Sequence, residues 1–108
     1  YTAVVASFAE SGTWMRAGVP VSGHVEIQDM LNARDQSIET RHLTTSVVGS
    51  STADGQIRVT LSLIVFLRHE GDSAAQSMTP RKVLSVVDDY EQSTDGWKLV
   101  MKQIVADF

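Results

Sequence analysis

The stretch Gln56-Ile57-Arg58-Val59-Thr60-Leu61-Ser62-Leu63-Ile64-Val65-Phe66-Leu67-Arg68-His69 decides the fold class. Six apolar residues, Ile57, Val59, Leu61, Leu63, Val65 and Leu67, occupy alternate positions. Strand side chains point alternately to opposite faces, so these six line one face, which is expected to be fully buried. The alternates Arg58, Thr60, Ser62, Ile64, Phe66 and Arg68 are polar at the ends and apolar in the middle. The Asp54-Gly55 pair just upstream is a hairpin turn signal, which pairs this run with the β-rich run 40–49. A polar loop at 70–80 leads to a third run at 81–92. Thr94-Asp95-Gly96 then turns the chain into a fourth at 97–107. Four consecutive strands joined by hairpin-type connections predict an antiparallel meander.

Upstream of Thr40 the period is 3.6 rather than 2. Tyr1, Val4, Val5 and Phe8 read as the end of an amphipathic helix over 1–10, with Ser11-Gly12 as its stop. The pattern is already running at residue 1, so this N-terminal helix is expected to be incomplete. Thr13 to Arg16 suggest a short strand. Gly18, Pro20 and Gly23 mark 17–23 as loop or edge strand. Residues 24–34 predict a second helix, with Ile27, Met30 and Leu31 on one face and Ser22 or Gly23 as N-cap. The sheet's apolar face needs a cover, and the helices are the material at hand. The expectation is an α+β fold, a curved antiparallel sheet wrapped around helices, forming one domain over 1–108.

Composition narrows the function. At 108 residues, 43% hydrophobic and 20% charged, the chain is an ordinary globular domain. Without cysteine it has no disulfide framework, thiolate zinc site or cysteine nucleophile. A net charge of −4 argues against nucleic acid as a partner. No apolar run approaches the roughly 18 residues of a membrane span, so no membrane partner is expected. Cytoplasm is the default compartment, although a start at Tyr1 is also compatible with a removed leader. His24, His42 and His69 are scattered, with no His-x-His or Glu-x-x-His spacing, so no metal and no cofactor are expected. There is no Gly-x-Ser-x-Gly and no glycine-rich phosphate loop.

Four short segments, in order, resemble the SnoaL-like branch of the nuclear-transport-factor-2-like superfamily. Phe8-Ala9-Glu10-Ser11-Gly12-Thr13-Trp14 resembles the family's F-A-E-D-G-x-W junction, with Ser11 where Asp is usual. Gly23-His24-Val25-Glu26-Ile27 resembles its G-R-E-A-I helix start, and Thr40-Arg41-His42-Leu43-Thr44 its T-R-H strand opening. Asp95-Gly96-Trp97-Lys98-Leu99 resembles its D-G-W-R-I hairpin. The resemblance implies a cone-shaped cystatin-like fold with a pocket at its open end. It also implies a range of activities: dehydratases, isomerases, cyclases, dioxygenase small subunits and plain binding domains. Fold alone does not choose among them.

Among candidate site residues, His42 stands first. Alternation puts Thr44 and Ser46 on its face, and the resemblance matches it to the pocket base of dehydratase-like members. His69 shares the parity of Leu63 and Val65, which would make all three ligand-binding, but a strand end more often faces solvent. Asp88 and Tyr90 share one face of the third run. Asp88 is a candidate pocket acid, while Asp89 must point the other way, toward an ion pair. Trp14 can line a pocket for a flat apolar ligand. His24 reads as a surface residue. The resulting expectation is a pocket for a small hydrophobic ligand and a cofactor-independent dehydratase or isomerase. Its catalytic residues would be His42 and Asp88, with Thr44, Ser46 or Tyr90 orienting the substrate. A non-catalytic binding module and a structural subunit are the alternatives. Ile64 and Phe66, joined by Val100, Ile104 and Phe108, suggest a homodimer through the outer sheet face.

Overall fold

In a computed structural model, which describes residues 2–74 and 79–106, the predicted meander is present and extended. The order is α1 (Thr2–Ser7), β1 (Phe8–Arg16), β2 (Val19–Ser22), α2 (His24–Asn32), β3 (Ile38–Ala53), β4 (Gln56–His69), β5 (Pro80–Ser93) and β6 (Gly96–Ala106). These strands form one sheet in the order β2-β1-β6-β5-β4-β3. β3 to β6 pair antiparallel in sequence order, and β4 spans the residues its alternation predicts. Tyr1 and Phe108 lie outside the described residues.

The N-terminal segment departs from the expectation. The helix ends at Ser7, not residue 10, and Phe8 opens a strand that runs parallel to β6. Two contacts explain this. Phe8 is 2% exposed and sits beside Leu99, so its burial gains more in the sheet than in another helical turn. Gly12 lets the backbones close: a Cβ there would lie 2.7 Å from the Leu99 carbonyl oxygen. Between Phe8 and Thr13 the register jumps, and β1 then pairs regularly with both β6 and β2.

Glycine also sets the start of α2. Gly23, at φ 84°, donates its N–H to the Gly12 carbonyl at 2.9 Å and accepts from the Ile27 N–H at 3.0 Å. That φ lies in the region a Cβ disfavours. No side chain caps this helix. Glu26 instead reaches back to accept the Ser22 N–H at 2.9 Å, one residue before the N-cap.

Val5, Phe8, Ile27, Leu31 and Leu99 form the core, with Trp14, Val21, Met30 and Tyr90 packed around them. The helices therefore cover the sheet face that carries Leu99, Tyr90 and Trp14, at its β1–β6 end. α2 packs on α1, β1 and β2. This short cover corrects one expectation. On the β4 face only Val65 is buried, while Ile57, Val59, Leu61, Leu63 and Leu67 keep partial exposure. Another correction concerns Ile104, which pairs with Val86 in line with Asp88 and Lys102. It faces the helices rather than the outer sheet surface.

Candidate functional site

Asp88 is the described charged residue with the least exposure, at 4%. Val86 beside it on the same face of β5 and Val59 opposite it on β4 are apolar, so an unpaired carboxylate there would be costly. The β5–β6 register sets Lys102 opposite it. The Lys102 ammonium donates to both carboxylate oxygens, at 3.0 and 3.1 Å. The parallel pairing of β1 with β6 sets Trp14 on the other side of Lys102. Lys102 Nζ and the Arg16 guanidinium carbon each lie 5.9 Å from the Trp14 ring centroid. That ring also stacks on Phe8, at 5.8 Å between centroids. The Trp14 Nε1–H is buried and meets no acceptor among the described residues. Tyr90 stands two residues from Asp88 on the same face. Burial, and then the Asp88 charge, push its phenol above the ordinary value, so it stays protonated at neutral pH.

Sequence reasoning found Asp88, Trp14 and Tyr90 but missed Lys102, because a bulge hides the pairing. The hairpin register runs from Ser93↔Gly96 to Tyr90↔Leu99, and unbroken it would put Met101 opposite Asp88. The register shifts between Asp89 and Tyr90, Val100 drops out of the ladder, and Lys102 takes that place.

A second patch lies along β3. His42 pairs with Val65 and Thr44 with Leu63, so these four expected residues share one surface. Ser46 does not follow the alternation. It has φ 54°, and a bulge between Thr45 and Val48 sets both Ser46 and Val47 against Leu61. Leu61, paired with Val86, and Val59, paired with Asp88, form an apolar floor between the two patches. His42 is open to solvent and has no hydrogen-bond partner among the described residues. Partial burial first, then the positive charges of Arg34 and Lys102, hold its imidazole below the ordinary 6.5. By register His42 lies far along β4 from Lys102, yet it feels that charge.

Other expected residues lie elsewhere. His69 is exposed at the end of β4, where its backbone N–H donates to Asp72 at 2.8 Å, and the fold does not bring it to His42. Asp89 points to the opposite face and pairs with Arg58 at 2.7 Å. His24 is half-buried rather than a surface residue. Its Nε2 donates to the Phe8 carbonyl at 2.8 Å and ties α2 to β1. One concavity of about 500 Å³, bordered by Phe8, Glu10, His24, Glu91, Asp95 and Lys98, and another of about 340 Å³, bordered by Ile57, Arg58, Asp89 and Tyr90, do not touch His42. The main helix packing is on β1 and β2, at the other end of the sheet from β3. Among the described residues no three His, Asp or Glu side chains are placed to hold a metal.

A six-stranded curved sheet with its helices on one face defines the class: an α+β, cystatin-like fold of the nuclear-transport-factor-2-like kind. Within it, the chain belongs to the SnoaL-like domain family, whose model matches residues 1–101. No curated protein matches the sequence. Among solved structures, ActVI-ORFA from Streptomyces coelicolor is similar, with 21% identity and a TM-score of 0.79 over 97% of this chain and 81% of that one. A Catenulispora acidiphila protein in complex with S-DNPA is 18% identical, with a TM-score of 0.78 over 95% of this chain and 75% of that one. An NTF2-like protein with a cystatin-like fold from Novosphingobium aromaticivorans is 12% identical, with a TM-score of 0.77 over 97% and 68%. At these identities the likeness establishes the fold.

Proposed function

We propose that the helix-covered face binds a small apolar, oxygenated molecule and that the protein is a dehydratase or isomerase working without a cofactor. His42 takes a proton from a carbon next to a carbonyl, or from a hydroxyl; in an isomerisation it returns that proton to another atom of the product, and in a dehydration it delivers it to the departing hydroxyl, which leaves as water. The observation that carries this reading is the His42 imidazole on the same face as the buried Asp88–Lys102 pair, with the apolar floor of Leu61 and Val86 between them. A base must be unprotonated before it acts, and partial burial with the nearby positive charges favours the neutral form of His42. The same positive charge also favours the negative charge that develops on the substrate oxygen. Tyr90, held protonated, supplies a hydrogen-bond donor. Binding of S-DNPA by the Catenulispora protein supports a ligand role for this fold.

The test uses hydroxylated bicyclic aryl ketones in deuterated water with the metal-free protein. Deuterium entering the carbon next to the carbonyl, or loss of water, is followed by NMR. Protein-dependent exchange that His42→Ala abolishes is the expected result. Exchange at the wild-type rate in His42→Ala removes the catalytic role. Binding without exchange leaves the second reading, a binding module, which the missing hydrogen-bond partner of His42 favours.

A homodimer through the outer sheet face belongs to this proposal. Leu43, Val48 and Val105 lie on that face at 53%, 61% and 62% exposure, beside Ile64 and Phe66. Light scattering at the mass of one chain would refute it.

A further inference from the structure

The chain carries a net charge of −4, yet charge around the proposed site has the opposite sign. Lys102 and Arg16 flank the Trp14 ring, each 5.9 Å from its centroid. Arg16 pairs with Ile104, and Trp14 with Lys102, so all three face the helix-covered side. Arg34 follows the C-terminus of α2, and its charge reaches His42. Against these three cations stands Asp88, whose two oxygens are already held by Lys102. The guanidinium groups of Arg16 and Arg34 have no carboxylate partner among the described residues. Asp35, next to Arg34, is bonded to Ser37, Glu39 is paired with Arg68, and Glu10, Glu91 and Asp95 border the separate concavity beside His24.

An ammonium has three N–H donors, and Lys102 directs its bonds to Asp88, leaving donor capacity toward the open side. A guanidinium without a partner is suited to two-pronged recognition of a carboxylate. Apolar surface beside such groups lowers the local dielectric and strengthens the attraction. Resting on the reading of this face as a small-molecule site, we propose that it selects ligands with an anionic oxygen on an apolar body. The oxygen belongs to a carboxylate or to an acidic enol or phenol, and Lys102, Arg34 and Arg16 are its charge partners. Val59, Leu61 and Leu63, partly exposed on that face, take the apolar body.

The test compares naphthoate with naphthamide, which share one bicyclic body and differ in charge. Affinities of the full chain come from calorimetry, and the site is reported by the His42 imidazole signals in NMR. Naphthoate is expected to bind at least about tenfold more tightly, the ratio for one charge-assisted hydrogen bond. Added salt weakens naphthoate and leaves naphthamide unchanged. Arg34→Gln and Arg16→Gln, both at exposed positions, each weaken naphthoate several-fold and spare naphthamide. If both compounds shift His42 and bind equally, the small-molecule site stands and the anion selectivity is overturned. Tighter binding of naphthamide overturns it as well. If neither compound moves the His42 signals, the selectivity and the site reading fall together.

Discussion

Replacing Asp88 by asparagine keeps the side chain's shape and removes its charge, which isolates the ion pair with Lys102. The Asp88 side chain is 6% exposed and that of Lys102 is 22% exposed. Breaking a buried pair by removing one partner costs about 3–5 kcal/mol, because the other charge is left uncompensated. Lys102 retains some access to water and can turn its ammonium outward, so Asp88→Asn falls at the low end, about 3 kcal/mol. At a urea slope of about 2 kcal/mol per molar, the unfolding midpoint drops by about 1.5 M. Lys102→Met strands a carboxylate with less access to water and falls at the high end, about 4–5 kcal/mol. The double variant Asp88→Leu/Lys102→Met removes both charges and fills the same space, and it is expected within about 1 kcal/mol of the wild type. Circular dichroism during urea unfolding, with the slope checked for constancy, measures all three. Two results would refute the reasoning. One is an Asp88→Asn midpoint near that of the wild type. The other is a double variant as unstable as the two single losses added together.

The imidazole of His42 is expected to titrate below 6.5 in an NMR pH series, and Arg34→Gln should raise its midpoint. Because the folded value is depressed, the unfolded chain binds more protons in this window. The contribution to stability is complete above about pH 6.5 and is lost as pH falls through the folded value. His42→Gln flattens that part of the stability profile, and a midpoint at or above 6.5 contradicts the assigned surroundings. Gly12→Ala puts a Cβ 2.7 Å from the Leu99 carbonyl oxygen and 3.0 Å from Phe8 Cδ1, so thermal unfolding should show a loss of about 1–3 kcal/mol. Arg58→Gln breaks the pair with Asp89 on the outer face, where solvent screens both partners. Its urea midpoint should move far less than that of Asp88→Asn, and an equal shift would show that burial does not separate the two pairs.

The meander was legible because alternation and turn chemistry are local. Ile57 to Leu67 alternate over the whole of β4, and Asp54-Gly55 and Asp95-Gly96 sit at the β3–β4 and β5–β6 turns. The second helix was legible through Ile27, Met30 and Leu31. Of β1, Thr13 to Arg16 was legible as a strand, but its Phe8 end, read as helix, was not, since a parallel partner is far away in sequence and leaves no local periodicity. In the site, His42, Thr44, Leu63 and Val65 could be grouped by parity because β3 and β4 pair in regular register there. Ser46 could not, because a bulge ends that register.

By itself, the sequence determined which residues alternate, where the hairpins turn, and that His42, Asp88 and Tyr90 merit attention. These are consequences of side-chain period and backbone preference, which act over a few residues. Tertiary structure alone decided that Lys102 neutralises Asp88, that Trp14 lies beside this pair, and that Arg34 and Lys102 act on His42. One unpaired residue at Val100 sets the first. The parallel entry of β1 sets the second. The third depends on charges that lie far apart in the sequence.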